Sequence, residues 1–241
     1  MDYLLDKYKR TFGEALTVLG YKRYNKTYYL PESDIVKKIS LNRTKTNCAL
    51  EYGIMPFCFP VDSKACLSGG RYFLIPPPDR IWTAWFFIEN VPDKVDPVIE
   101  DMLRATKEYI LPWFDKIHDC KDAYPEMIEL EKKLLKGKVS MNDSVKVWIC
   151  IKNGDYENAY SHMSAIVKQN EDAYRIKTAE FEKTGDTQAR DAFLKSFLPG
   201  FQMLDDELHR ISIPDVEYLQ NIVAKNEAIS QEFLKNPNRR K

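Results

Sequence analysis

His118, Asp119 and Cys120 form the closest grouping in this sequence of residue types that ligate metals or move protons. Consecutive side chains point in different directions, and no second group at three-or-four spacing completes a set, so the grouping falls short of a metal site. His162 and His209 each stand alone and read as helix-surface or core histidines. Ser68, Gly69, Gly70 and Arg71 form a glycine turn of the kind that can wrap an anion. No Gly-Lys-Ser/Thr follows it and the next residues read as strand, so the run reads as a loop. The carboxylate pairs Asp205 with Asp206 and Glu129 with Glu131 fall on polar faces and need no catalytic explanation. Gly-x-Ser-x-Gly, His-Glu-x-x-His and the dinucleotide glycine fingerprint are all missing from the sequence. No catalytic residue, metal ligand or cofactor is assigned.

What the sequence offers instead is surface. Residues 35–43 and 47–54 alternate with the period of two that marks strands, Ile35, Ile39 and Leu41 against Val36, Lys38, Ser40 and Asn42, and each strand is expected to have one wet face. A short strand is expected at 27–30, ended by Pro31, and further strands at 71–75 and 81–88 around Pro76, Pro77 and Pro78. The short connections imply antiparallel hairpins. The 81–88 strand is apolar on both faces and should be covered twice. If helices cover one face of this sheet, the other presents Trp85 and Phe87 beside Lys38, Ser40, Asn42 and Glu51, a surface part apolar and part charged. The binding-surface candidates are Lys38, Arg43, Arg71, Trp85 and Phe87.

The helices that must position this sheet follow from three-and-four spacing. Leu5, Tyr8, Phe12, Ala15, Leu16 and Leu19 lie on one face of a helix over residues 2–19, stopped by Gly20, with Tyr21 packing back on the last turn. Asp96 and Pro97 read as the start of a second helix, with Val98, Ile99, Met102, Leu103, Thr106, Tyr109 and Ile110 as its buried stripe and a break or kink at Pro112. Pro125 is expected to open another helix running to Leu135 before Gly137. Val145, Val147, Ile149 and Ile151 alternate as a strand would, whereas Val145, Trp148, Ile149 and Lys152 fit a helical face; the turn at Asn153, Gly154 and Asp155 favours helix. Helical spacing continues through Tyr156, Ala159, Tyr160, Met163 and Val167, then over 174–183 and 186–198. A last helix follows Pro214, with Val216, Leu219, Ile222, Ile229 and Phe233 buried. The expected core of the front half is Tyr8, Phe12, Leu16, Leu41, Leu50, Tyr52, Trp82, Phe86 and Leu103.

The fold class this implies is α+β: an antiparallel sheet of about five strands packed with helices, followed by an all-helical C-terminal region. The expected division is an α+β domain over 1–138, a helical region over 139–235 docked on it, and a disordered basic tail over 236–241. With 241 residues, 44% apolar and 30% charged, the chain can bury a real core and lies outside the composition of disordered proteins.

Lysine plus arginine equals aspartate plus glutamate, 36 each, so net charge offers no long-range attraction for nucleic acid or an anionic membrane. Charge is uneven locally: residues 20–50 hold seven bases against Glu32 and Asp34, and residues 89–131 hold twelve acids against five bases. The longest strongly apolar stretch, 81–88, is far shorter than the roughly 20 residues of a membrane-spanning helix. The five cysteines are odd in number and widely spread, without a Cys-x-x-Cys pair, and the first ten residues lack the apolar run of a secretory signal. Free thiols in the cytoplasm are the expectation.

The front half, about residues 1–135, resembles a bacterial family catalogued as domain of unknown function 4304. The resemblance rests on the helix ending in Leu19, Gly20, Tyr21, Lys22, Arg23; on Tyr28 and Tyr29; on the strand Ile39, Ser40, Leu41, Asn42, Arg43; on Tyr52, Gly53, Ile54; and on Leu111, Pro112, Trp113, Phe114, Asp115. It implies an α+β fold and a bacterial source and brings no catalytic residues. Residues 153–159 resemble the helical-hairpin units of tetratricopeptide-type repeats, but no second copy follows at a fixed period.

The favoured expectation is a non-enzymatic, intracellular protein-interaction module of the immunity or antitoxin type, with a protein partner and no membrane. The alternatives are an enzyme with an active site in a cleft between sheet and C-terminal helices, favoured by a buried acid or base there, and nucleic-acid binding through the basic hairpin, weakened by the zero net charge.

Overall fold

The computed structural model describes residues 2–44, 47–61, 86–135 and 143–237. It is α+β: among the described residues a five-stranded antiparallel sheet and a helical C-terminal region. The chain divides into two compact units, residues 1–130 with 226–241, and residues 131–225.

In the first unit, α1 (Tyr3–Thr17) is capped by Asp2, whose carboxylate accepts from the Leu5 amide at 3.2 Å. Its buried stripe is Leu4, Tyr8, Phe12 and Leu16. Leu19, expected on that stripe, is exposed, because the helix ends two residues short of it. Gly20 takes the left-handed conformation at φ +85°, and the Tyr21 amide closes the end on the Leu16 carbonyl at 3.2 Å. Tyr21, just beyond the glycine, is buried.

The sheet runs in the order β1 (Lys22–Tyr24), β2 (Thr27–Glu32), β3 (Ile35–Arg43), β4 (Asn47–Pro56), β5 (Phe86–Phe87), each strand antiparallel to its neighbour. β3 and β4 start where the alternation predicts; β1 was not anticipated. The strand expected at 71–75, residues 81–85 of the last strand, and Trp82 of the expected core lie outside the described residues. Register places Tyr28, Ile39 and Tyr52 on one face, which α1 covers through Tyr8 and Phe12: the Tyr8 and Tyr28 ring centroids are 5.8 Å apart, and Tyr8 and Phe12 4.5 Å.

The wet face expected of β3 is not there. Val36, Lys38 and Ser40 are buried, as are Ile35, Lys37, Ile39 and Leu41 on the other side. At one end the reason is visible. Tyr29, Val36, Met55, Phe57 and Val61 pack in one cluster with Leu234, near the end of the last helix, α8 (Val216–Lys235), with Tyr24 and Phe233 at its margin. Residues 226–235 of α8 belong to this unit. Ser230 is fully buried and locks the contact: its hydroxyl accepts the Val61 amide at 2.8 Å and donates to the Asn226 carbonyl at 2.9 Å. Asn226 Nδ2 donates to the Cys58 carbonyl at 2.8 Å. Alternation reports which residues share a face, but a cover that arrives from almost 200 residues downstream is invisible to it.

Two helix starts also differ from expectation. α2 (Pro92–Ala105) begins at Pro92, which occupies the first turn where a missing donor is harmless, and Pro97 lies inside it. Asp96 is not a cap; it accepts from the Tyr3 hydroxyl at 2.8 Å and pairs with Lys7 at 3.2 Å, tying α2 to α1. Tyr109, placed on the buried stripe, is exposed, because the turn over Thr106–Ile110 widens to a π-helix just before Pro112 and rotates the face. After the short α3 (Leu111–Phe114), α4 (Cys120–Leu135) starts five residues ahead of Pro125. Asp119 caps it, Oδ1 accepting from the amides of Lys121 at 2.8 Å and Asp122 at 3.1 Å.

In the second unit, residues 143–152 are helical as the sequence favours: α5 (Asp143–Lys152) buries Val145, Val147, Ile149 and Ile151. Gly154 at φ +74° makes the turn and Asp155 caps α6 (Tyr156–Thr184). The pieces read separately at 156–167 and 174–183 are one 29-residue helix. It is followed by α7 (Thr187–Ser212) after Gly185, and by the first half of α8, where Gln220 Nε2 donates to the Ile151 carbonyl at 2.7 Å. Val216, expected to be buried, is exposed. Among the described residues, no helix is long and apolar enough to cross a membrane.

Candidate interaction surface

The residues singled out by sequence lie apart. Lys38 is 2% exposed, in the face of the sheet where Thr27 Oγ1 donates to Ser40 Oγ at 2.9 Å and Asn42 Nδ2 donates to Glu51 Oε1 at 2.8 Å. A lysine this deep presents no ammonium to an incoming partner. Arg43 is paired with Asp2 at the head of α1. Phe87 is 64% exposed, so the expectation of a strand covered on both faces fails at that residue. Arg71 and Trp85 lie outside the described residues.

The grouping at 118–120 has a structural role. His118 Nδ1 meets Glu32 Oε1 at 2.7 Å, and the Cys120 amide donates to Asp34 Oδ1 at 2.9 Å, so the segment grips the turn between β2 and β3. Glu32 also holds Lys37 at 2.5 Å, and Lys37 is nearly buried. Burial pushes the Glu32 carboxyl up, but hydrogen bonds and charge from Lys37 and His118 outweigh it and leave the net shift downward. Among the described residues, no three His, Cys, Asp or Glu side chains are grouped to hold a metal ion.

A different surface emerges from the helical unit. α6 and α7 form an antiparallel hairpin joined by a left-handed Gly185 and capped by Asp186, whose Oδ1 accepts the Ala189 amide at 2.9 Å. Phe193, Phe197 and Phe201, four residues apart, line one side of α7 and meet Tyr174 and Phe181 of α6. Ring centroids lie 5.7 Å apart for Tyr174 and Phe197, 5.8 Å for Phe181 and Phe193, and 5.1 Å for Phe193 and Phe197. This aromatic seam holds the two helices together, yet not one residue from 168 to 208 is buried. Leu198 is 47% exposed and Met203 60%. By helical spacing these two flank the seam on opposite sides of α7. Leu198 and Phe201 border a shallow groove with Tyr174, Glu171, Asp172 and Arg175 of α6.

A helix in water is stabilised chiefly by burying its apolar face against other elements, and two helices alone leave both flanks of the seam wet. Within the same unit α5 and the inner part of α6 do bury a core, Val147, Ile149, Ala159 and Met163 among it, so the contrast is internal to one chain. The four-residue aromatic spacing of Phe193, Phe197 and Phe201 is visible in the sequence. Which apolar residues would be left without cover is not.

No family model, curated protein or solved structure matches this chain.

Proposed function

We propose that this protein is a protein-interaction module that engages its partner along the outer part of the α6–α7 hairpin. The observation that carries this reading is the run of residues 168–208, an aromatic-seamed helix pair with nothing buried and with Leu198 and Met203 open on either flank. Covering such flanks is favourable by about 25 cal/mol for each Å² of apolar surface removed from water, and exposed apolar surface rimmed by polar residues marks interaction sites. A cytoplasmic setting fits the buried thiols of Cys48, Cys58, Cys120 and Cys150, of which Cys48 is pushed up to about 11 by burial and so stays protonated and unreactive. Membership of the front half in the family of unknown function named above belongs to the same proposal and adds no catalytic residue to it.

The nucleic-acid reading has less to support it. Of the basic residues between 20 and 50, Lys37 is held by Glu32, Arg43 by Asp2, and Lys38 is buried. The test is a photoreactive amino acid placed at Leu198 and at Met203 in the full chain expressed in its native host, with exposed Glu14 of α1 as control. Discrete cross-linked products from the hairpin positions and none from Glu14 support the reading; no discrete product from either hairpin position overturns it.

A further inference from the structure

We propose that the partner completing the α6–α7 hairpin is a second copy of this chain, the two α7 helices crossing antiparallel beside Gly200; this rests on the hairpin being the interaction surface. The first argument is the distribution of charge. The outer segment, residues 175–198, carries five bases (Arg175, Lys177, Lys183, Arg190, Lys195) and four acids (Glu180, Glu182, Asp186, Asp191), a net of +1. The inner segments, 168–174 with 201–208, carry Lys168 against Glu171, Asp172, Asp205, Asp206 and Glu207, a net of −4. Two such hairpins side by side in the same direction would set acid against acid. Antiparallel, the outer end of each lies against the acidic inner end of the other, and a two-fold axis makes the match twice.

The second argument is local. Lys195 and Asp206 are about three turns apart on the same side of α7, symmetric about the neighbourhood of Gly200. An antiparallel crossing on the flank of Ser196 and Met203, with Gly200 at one margin of the contact and Lys195 and Asp206 at the other, brings Lys195 of one copy to Asp206 of the other and the reverse. Among the described residues Lys195 has no ion-pair partner, and Asp206 accepts from Gln202 at 2.9 Å. Gly200 allows the approach: a Cβ built on it meets nothing within 4 Å, so no contact inside the chain accounts for a residue that weakens a helix by about 1 kcal/mol relative to alanine. Met203, on the same flank, then inserts beside Ser196 of the facing helix and is taken out of water. The result is a bundle of four helices in which the Met203 flank of each seam is covered, an arrangement open to antiparallel hairpins.

The experiment is light-scattering molar mass and sedimentation of the full chain over a wide concentration range. The expected result is a reversible dimer that Lys195→Glu or Asp206→Lys each weakens about tenfold or more, and that the double variant Lys195→Glu with Asp206→Lys restores, since the swapped charges meet again. Circular dichroism of each variant checks that the helices persist, and restoration by the double variant cannot come from unfolding. A chain that is monomeric at every concentration overturns the second copy as partner. A dimer indifferent to both single changes overturns it too, since that dimer uses another surface. If the chain is monomeric but Leu198 or Met203 cross-links to a different protein, the second copy is overturned while the hairpin stays the interaction surface. If no cross-link forms from either position, both readings fall.

Discussion

The Tyr28 hydroxyl donates to the backbone carbonyl of Lys9 at 2.7 Å, reaching from β2 into the middle of α1. It passes Gly13, where an added Cβ would sit 3.2 Å from the hydroxyl oxygen. The glycine lets helix and strand meet closely enough for a side chain to bond a helical carbonyl. Tyr28→Phe should lower stability by about 0.5 to 1.5 kcal/mol, the usual value of one hydrogen bond. Gly13→Ala should be coupled to it: the gain from better helix propensity is offset while the hydroxyl is present and appears in the Tyr28→Phe background. Denaturant midpoints of the four proteins in this cycle measure the coupling; additive effects would show that hydroxyl and glycine do not sense each other.

Ser230 ties the end of α8 to the chain after β4. Ser230→Ala removes the acceptor of the buried Val61 amide and leaves that donor unpaired, so a loss of about 1 to 3 kcal/mol is expected in chemical denaturation. Amides around Val61 should exchange faster in the variant. Unchanged stability and exchange would mean that this bond does not fix the helix end.

The turn between β2 and β3 carries a pH dependence of known sign. The folded Glu32 carboxyl lies below its ordinary value of 4.5, because Lys37 and His118 outweigh the effect of burial. Its stabilisation is therefore complete above that ordinary value and is lost as pH falls through the lower folded value. Glu32→Gln should lower stability at neutral pH, where it leaves the nearly buried Lys37 ammonium without its carboxylate, and should flatten the acid limb of the stability profile. An acid limb unchanged by Glu32→Gln contradicts the assignment.

Glu207 has the opposite sign. Partial burial in the inner part of α7 raises its carboxyl, so its ionised form is disfavoured in the fold and its penalty is complete above the raised value. The penalty disappears as pH falls below the ordinary 4.5. Glu207→Gln should stabilise the helical unit at neutral pH and make no difference in acid. Thermal unfolding of both proteins at the two pH values checks the sign, and destabilisation at neutral pH would contradict it.

How far these features could be read from sequence depends on their range. The end of α1 at Gly20 and the turn through Gly154 are set by residues within a few positions of each other, and the periodicity of 35–43 needs no partner to be recognised. Pro97 and Pro125 look like first-turn residues but sit inside α2 and α4, which therefore start ahead of where the sequence predicts. The side chains that settle the matter act elsewhere, Asp96 on Tyr3 and Asp119 on the amides that follow it. The alternation of its strand predicts an exposed Lys38, but alternation carries no information about what covers the second face. The open flanks of the hairpin are hidden from the sequence for the same physical reason: the spacing of Phe193, Phe197 and Phe201 indicates an apolar stripe, whereas the lack of cover over its flanks among the described residues is a property of the tertiary structure.

The central claim is that the outer hairpin is completed by association, and amide hydrogen exchange on the full chain at high and low concentration tests it most directly. Residues 170–205 bury no side chain within one copy, so their helical hydrogen bonds should open at low free energy when the chain is alone and be protected when it is associated. The account predicts protection across 170–205 that falls on dilution, while the amides of β3 and β4 exchange at the same rate in both samples. Protection of the hairpin that does not change between concentrations showing different molar mass would contradict it.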